Sequence, residues 1–194
     1  MSEQPNENPI VDVEAIEDEG LPAHIMIDIE TLGVRLDAPI IQLGYCVFNK
    51  NRILKSTEIN IEFPTTLEKA DLSTILWWMK QDKKVIEQVF NPDNRKSLYH
   101  ALNSLVWEFK EREIVTVWSK GPQFDIAMLE GKFKYFHQIT VPWKYYMIRD
   151  YRTVKECFSD ITDDNKKVVH SAEADAIHQA RHLIKIAYTT GMDL

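Results

Sequence analysis

Cysteine is scarce in this sequence, and long apolar runs are missing. Two cysteines, Cys46 and Cys157, cannot build a disulfide framework, and no CxxC metal or redox motif is present. No stretch is long and apolar enough to span a bilayer, and the N-terminus lacks the basic-then-apolar pattern of a signal peptide. We therefore expect a cytoplasmic globular protein with free thiols and without membrane contact.

Basic residues are missing from the first 22 positions. Seven of the 30 acidic residues lie there, which leaves 23 acids and 23 bases in residues 23–194. The composition predicts a disordered acidic leader (1–22) ahead of one globular domain (23–194). The leader is a solubilising tail, a segment that docks a protein, or a competitor of nucleic acid for a basic face. Because the domain itself is formally neutral, the net charge of −7 is weak evidence against a polyanionic ligand.

Apolar periodicity predicts an α/β protein with a mixed sheet flanked by helices. The first strands join through a short hairpin at 50–51, and a later strand is expected to add to the sheet through helical crossovers. The predicted elements in chain order are strands at 24–30, 39–49 and 52–63, a helix capped by Ser73, a short helix ending at 90, a helix at 97–112, a strand at 113–118, and helices at 123–136, 149–158 and 171–189, the last ended by Gly191.

Carboxylates recur where the predicted elements end or begin. Asp28 and Glu30 are two positions apart on the first strand, so that their side chains share one face. Ile27 and Ile29 then point into the core. Asp125 lies in the first turn of a predicted helix, where the helix N-terminus favours a carboxylate, and we expect it to face outward. Acids held together cost free energy unless a positive charge lies among them, and divalent metal ions supply such charge.

The last predicted helix carries Asp175, and His170 lies on the loop that leads into it. A short loop can place the imidazole over the same cleft as the aspartate. His178 and His182 share the helix face of Asp175, and an H-x3-H pair can bind zinc. Because no third zinc ligand is evident in the sequence, we interpret these two histidines as packing residues or as residues near a phosphate.

The order of these residues resembles a nuclease active site. A D-x-E pair near the first strand, an aspartate that opens a middle helix, and an H-x4-D pair at the last helix are similar to the DEDDh branch of the RNase T/DnaQ-like 3′–5′ exonucleases. The branch that uses tyrosine would need it at position 171, which is serine. Over residues 24–190 the chain is similar to phage DexA-type exonucleases and bacterial exoribonuclease AS, through the segments DIETLG, PIIQLG, STILWWMKQ, GPQFDIAML, MIRDYRTV and HSAEAD.

The resemblance implies an RNase H-like fold and hydrolysis of phosphodiester bonds at the 3′ end of single-stranded DNA or RNA, with release of nucleoside 5′-monophosphates. It implies two Mg²⁺ or Mn²⁺ ions held by Asp28, Glu30, Asp125 and Asp175, because carboxylate oxygens suit these ions. His170 is the expected general base, since an imidazole titrates near neutral pH. A catalytically silent module that binds nucleic acid or protein on the same fold is the alternative.

Residues that follow the first acids are expected to hold the terminal nucleotide. By the resemblance, Thr31, Leu32 and Gly33 supply backbone contacts and an apolar wedge, and Gly33 permits close approach. One of the adjacent Trp77 and Trp78 is expected to pack inward and the other to stack on a base. The alternative is that both tryptophans pack in the protein.

Three basic residues complete the predicted contacts with nucleic acid. Arg149 or Arg152 is expected to hold a phosphate through bidentate hydrogen bonds, unless both belong to a surface ion-pair group. Lys120 is expected to touch the nucleic acid backbone. Two further partnerships stay open: a homodimer, and a protein that docks on the acidic leader.

Overall fold

The computed structural model describes residues 20–163 and 170–194, so that most of the predicted acidic leader lies outside the described residues. The strands are β1 (Ala23–Thr31), β2 (Ile40–Phe48), β3 (Ile53–Asn60), β4 (Ile114–Ser119) and β5 (Ile148–Asp150). The α-helices are α1 (Leu72–Trp78), α2 (Lys83–Val89), α3 (Leu98–Glu111), α4 (Asp125–Phe133), α5 (Tyr151–Cys157) and α6 (Ala172–Thr190). Within the described ranges, every helix is too short or too polar to traverse a bilayer.

The five strands form one mixed sheet in the order β3-β2-β1-β4-β5. The first three pair antiparallel as consecutive hairpins, whereas β4 joins β1 and β5 joins β4 in parallel. Parallel pairing needs a crossover, which α1–α3 provide before β4. The predicted α/β fold class, a mixed sheet flanked by helices, is confirmed.

The two faces of the sheet carry different halves of the core. Ile27 and Ile29 of β1 lie in the larger cluster with residues of α3 and α4. Met26 lies in the cluster on the other face, which α6 covers. Because side chains alternate along a strand, Asp28 and Glu30 share the α6 face with Met26. The period of two therefore puts both acids on one face, as the sequence predicted, and the fold places that face beneath the last helix.

The N-terminus of α6 lies directly on β2. Gly44 pairs with Asp28 across the β1–β2 ladder. A Cβ atom on Gly44 would be 2.0 Å from both the carbonyl carbon of Ala172 and the nitrogen of Glu173. Gln42 Oε1 accepts a hydrogen bond of 2.9 Å from the Ala172 N–H, which satisfies one of the free donors of the first turn. These contacts fix the first turn of α6 over the acidic end of β1.

Three predicted helix starts were wrong. Helix α4 begins at Asp125, two residues after the predicted position, and tertiary contacts account for the other two. The segment predicted as a helix from Arg149 begins as β5, because it pairs with β4, and the helix starts at Tyr151 after Asp150. Helix α1 begins after Asp71 instead of Ser73, and the Asp71 carboxylate accepts a bond from the Val34 N–H at 2.7 Å. The ends of α6 agree with the prediction, since Gly191 closes it in the left-handed conformation.

Candidate active site

Five side chains that the sequence singled out meet at the carboxyl end of β1. Ligand atoms of Glu30, His170 and Asp175 all lie within 4.8 Å of one another. Asp28 adjoins this group, since it lies on the same face of β1 as Glu30. Burial, followed by the charges of Asp125, Glu30 and Asp175, raises the pKa of Asp28 well above its usual range. The fold thus collects carboxylates from β1, α4 and α6 into one cluster, with His170 on the loop before α6.

Asp125 is buried, and the expectation that it faces outward was wrong. It is the first residue of α4 and is 5% exposed, because the first turn of α4 packs against β1. Burial raises the pKa of Asp125 to about 7, although a hydrogen bond from the Ile29 N–H and the charge of Arg152 act in the opposite direction. A carboxylate in this position contributes to the cluster and is withdrawn from bulk water.

The cluster holds more negative charge than the protein compensates. Burial raises the pKa of Glu30 to about 8, with the neighbouring Asp175 and Asp125 as further causes. Burial raises that of Asp175 to about 6. Gln179 Nε2 donates to Asp28 Oδ1 at 3.0 Å, while Gln179 Oε1 is buried without a hydrogen-bond partner among the described residues. Surplus oxygen acceptors and unneutralised carboxylates fit divalent cations such as Mg²⁺ or Mn²⁺.

His170 is held neutral. Burial and the charge of Lys120 lower the pKa of its imidazole below the usual value. Its ring packs edge-on against Trp77, with the ring centroids 4.9 Å apart. A neutral imidazole has a free nitrogen lone pair, so His170 can accept a proton at neutral pH.

The two tryptophans divide as the sequence predicted, with one inward and one outward. Trp78 is 3% exposed, and its Nε1 donates to the Thr31 carbonyl at 2.9 Å. Trp77 is 42% exposed and packs edge-on against Trp78. A stacking platform needs an accessible ring face, so the structure leaves that predicted role to Trp77 and gives Trp78 a packing role.

The segment after Glu30 is packed into the protein. Thr31 and Leu32 are buried, and Leu32 lines an apolar cleft of about 460 Å³ together with Trp78 and Phe90. A Cβ atom on Gly33 would be 2.8 Å from Asp71 Oδ2. Gly33 therefore permits the close approach of a side chain of this protein, whereas the sequence had suggested the close approach of a substrate.

Two of the three predicted basic residues lie at the cluster. Burial and then the charge of Lys120 lower the pKa of His170. At Asp175 and Asp125, where burial raises the pKa, the charges of Lys120 and Arg152 respectively oppose that rise. Arg152 Nη2 also donates to the Lys120 carbonyl at 3.1 Å. These cations therefore line one side of the acidic group.

Arg149 is engaged elsewhere. Its Nη1 donates to the carbonyls of Tyr146 at 2.6 Å and Ile148 at 3.0 Å. These bonds fold the guanidinium back onto the turn before β5. The bidentate phosphate contact predicted for this pair of arginines is left to Arg152.

The two histidines on α6 have protein partners. His182 is buried, with Nδ1 2.7 Å from the Tyr151 hydroxyl and Nε2 2.8 Å from the Ile161 carbonyl. His178 Nε2 contacts the Asp163 carboxylate. Both rings thus take the packing role that the sequence favoured over zinc.

Sequence reasoning missed three residues that shape the site. Gln179 lies one helical turn after Asp175, and this spacing is a signal that would have found it. Gln42 and Gly44 lie on β2, where their local pattern is that of an ordinary buried strand. Their contacts with α6 become visible only after the chain has folded.

Comparison with known proteins adds a family and a fold. A family model described as a 3′-5′ exoribonuclease Rv2179c-like domain matches residues 23–187. No curated protein matches the chain significantly. The E. coli ExoI–ssDNA complex with zinc superposes with a TM-score of 0.68 at 9% identity, covering 88% of this chain and 41% of that one. The chain thus spans about two fifths of the length of that ExoI chain.

Two shorter nucleases are also similar in structure. The RNase domain of the yeast Pop2 protein gives a TM-score of 0.60 at 11% identity over 87% of this chain and 77% of that one. The nuclease domain of 3′hExo, a DEDDh family member bound to rAMP, gives 0.59 at 11% identity over 89% and 95% of the two chains. At these identities the similarity shows that this chain shares its fold with these nucleases.

Proposed function

This chain belongs to the Rv2179c-like 3′-5′ exoribonuclease domain family, and on that premise we propose that it removes nucleoside 5′-monophosphates from the 3′ end of single-stranded RNA. The observation that carries this proposal is the convergence of four carboxylates and a neutral histidine at one end of β1. The choice of RNA over DNA rests on the family, whose description is that of an exoribonuclease.

Asp28, Glu30, Asp125 and Asp175 would hold two Mg²⁺ or Mn²⁺ ions. When bound, such ions lower the pKa of water and offset the negative charge that develops on a phosphoryl group during hydrolysis. The raised pKa values support this assignment, because the folded chain keeps carboxylates close together without a matching number of its own cations. Gln179 orients Asp28 through its hydrogen bond.

His170 would take the proton of the attacking water on an imidazole nitrogen. The water oxygen then bonds to phosphorus, and the bond between phosphorus and the 3′ oxygen of the preceding nucleotide breaks. The lowered pKa of His170 supports this role, because the ring starts the reaction unprotonated. Trp77 packs against the imidazole and restricts its orientation.

The terminal base would occupy the apolar cleft beside the cluster. Leu32 follows Glu30 on the chain by two positions, and it lines the cleft with Trp78 and Phe90. The exposed indole of Trp77 offers an aromatic surface at the same side of the site. Base stacking on one aromatic ring contributes about 1–3 kcal/mol, which suits a site that accepts every base.

A direct test follows 5′-labelled and 3′-labelled single-stranded RNA and DNA of one sequence. The full chain is incubated with Mg²⁺, with Mn²⁺ or with EDTA. We expect a ladder of 5′-labelled products that shortens one nucleotide at a time, faster for RNA, and early release of the 3′ label as a mononucleotide. Asp28→Asn and Asp175→Asn should abolish both signals. Internal cuts, shortening from the 5′ end, or metal-independent cleavage would contradict the proposal.

A further inference from the structure

A second cavity lies next to the carboxylate cluster, between α5 and α6. Its volume is about 730 Å³, which falls within the range of roughly 300–1,000 Å³ that ligand sites occupy. Lys120, Arg152 and Lys155 line it, together with Thr162 from the turn after α5 and His182 from α6. Arg152 and Lys155 are three positions apart on α5, so they share one helix face.

The cavity lies at the same edge of the sheet as the carboxylate cluster. Lys120 directly follows β4, and Arg152 follows the last residue of β5 by two positions. Because β1, β4 and β5 are parallel, their carboxyl ends meet at the edge where β1 carries Asp28 and Glu30. Arg152 Nη2 donates to the Lys120 carbonyl at 3.1 Å, which holds the two basic residues together. A ligand that leaves the cluster on this side therefore passes a basic wall.

The floor of the cavity is rigid, and more basic than acidic side chains line the space. His182 is fixed between the Tyr151 hydroxyl and a backbone carbonyl. Two acids, Glu156 and Asp163, also line the space, and the Asp163 carboxylate contacts His178. Three cations thus face the cavity against two acids. This balance favours an anion.

The order of the strands in the sheet indicates which part of a bound RNA would lie at the cavity. The apolar cleft lies beside Leu32, on the side of β1 toward β2 and α1. The basic cavity lies on the opposite side, beyond the ends of β4 and β5. Consider a bound RNA whose last base occupies the cleft and whose last phosphodiester lies at the acids. The rest of that RNA continues toward the basic cavity.

We propose that this cavity is a phosphate subsite for the nucleotides upstream of the scissile bond, so that the enzyme favours oligonucleotides over dinucleotides. The proposal rests on the proposed function, which supplies the direction of the strand. Each upstream phosphate carries one negative charge, and neutralising it with Lys or Arg contributes affinity that depends on salt.

Lys155 is the residue with which to test the subsite, because it lines the cavity without belonging to the carboxylate cluster. For Lys155→Gln, we expect KM for an RNA of about a dozen nucleotides to rise about fivefold at unchanged kcat, and the salt dependence of kcat/KM to become shallower by about 0.7 in log–log slope. Kinetic constants for the dinucleotide ApA, which has no phosphate upstream of its scissile bond, should stay at the wild-type values. Lys155→Arg should restore the long substrate, and Lys110→Gln on α3 is the matched control that should change neither substrate.

Several outcomes would overturn the subsite. An equal effect of Lys155→Gln on both substrates, or no effect on either, contradicts it. Weaker inhibition by AMP with an unchanged KM for the long RNA assigns the cavity to the released product instead. Fluorescence anisotropy with labelled RNA in Ca²⁺ separates the two proposals. If the wild-type chain binds RNA in Ca²⁺ but hydrolyses none in Mg²⁺ or Mn²⁺, the proposed function fails. The subsite is then judged by the loss of RNA affinity in Lys155→Gln. If the wild-type chain binds no RNA, both fail.

Discussion

Gly44 lies directly beneath Ala172, so closely that a Cβ atom on Gly44 would be 2.0 Å from the Ala172 carbonyl carbon. Gly44 is also the partner of Asp28 in the β1–β2 ladder. Asp175 follows Ala172 by three positions, within the first turn of α6. The missing side chain at Gly44 therefore sets how near Asp175 comes to Asp28.

Gly44→Ala should separate these two acids. The new methyl group meets backbone atoms, which cannot rotate away, so α6 must shift outward. Overpacking of this kind costs about 1–3 kcal/mol, and a misplacement of about 1 Å can lower the rate about 100-fold. Urea unfolding and the exonuclease rate measure the two effects.

Gly131→Ala is the matched control for that substitution. Gly131 lies within α4, and its nearest atom to a new Cβ is the Leu36 carbonyl oxygen at 3.9 Å. Alanine in a helix should raise the free energy of unfolding by about 0.5–1 kcal/mol and leave the rate unchanged. A Gly44→Ala protein with a wild-type rate would refute the positioning role of this contact.

Without metal, the protein should become less stable as the pH rises from about 6.5 to about 8.5. The folded pKa values of Glu30 and Asp125 are about 8 and about 7, above unfolded values of about 4. A raised folded pKa gives stability that is present below the unfolded pKa and is lost as the pH rises through the folded one. The melting temperature in EDTA should fall across this window. His24, whose pKa burial lowers to about 4, acts in the opposite direction, but only below about 6.5.

Added Mn²⁺ should raise the melting temperature more at the upper end of this window than at the lower end, because metal binds the ionised carboxylates and stabilises the folded state by mass action. In EDTA, Asp125→Asn should flatten the decline, since it removes one of the repelling groups. Glu111→Gln, an exposed acid on α3, should leave the decline as it is in the wild type. A flat profile of the wild type in EDTA would show that burial and mutual repulsion do not raise the pKa values of these carboxyl groups.

His170→Ala should slow hydrolysis by roughly 10²–10⁴, which is the usual contribution of a general base. Titration calorimetry with Mn²⁺ should show binding close to that of the wild type, because the four carboxylates remain. His100→Ala, an exposed histidine on α3, provides the control for the loss of an imidazole. If Mn²⁺ affinity falls together with the rate, His170 is a metal ligand, as its closeness to Glu30 and Asp175 permits.

The two neighbouring tryptophans should respond differently to alanine. Trp77→Ala should raise KM for RNA and slow turnover slightly, because Trp77 is exposed and packs against His170. Trp78→Ala should lower the free energy of unfolding by about 3–5 kcal/mol, since it empties a buried site and leaves the Thr31 carbonyl without its donor. Urea unfolding and steady-state kinetics separate the two. Equal loss of stability in both variants would assign both residues to packing.

Local sequence patterns were enough to predict which residues share a strand face and where a helix ends. Alternation along β1 was enough to place Asp28 and Glu30 on one face, because side chains of a strand alternate whatever the strand packs against. Likewise, Gly191 marked the end of α6 correctly, since capping depends on a few adjacent backbone groups.

Predictions that depend on a distant partner were less successful. Asp125 was expected to face outward from its helix, and only the packing of α4 against β1 shows that it is buried. Arg149 was expected in a helix, but pairing with β4 makes its segment a strand. Such pairings join residues that are tens of positions apart, and local spacing carries no information about them.

The sequence by itself determined which chemical groups this protein possesses and which of them share a strand or a helix face. The tertiary structure decided that β1, α4 and α6 meet, and that Gly44 and Gln42 let α6 come close enough to join the acids. The physical reason is that residue type and period are properties of a short segment, whereas the distance between Asp28 and Asp175 is set by how helices pack across a sheet.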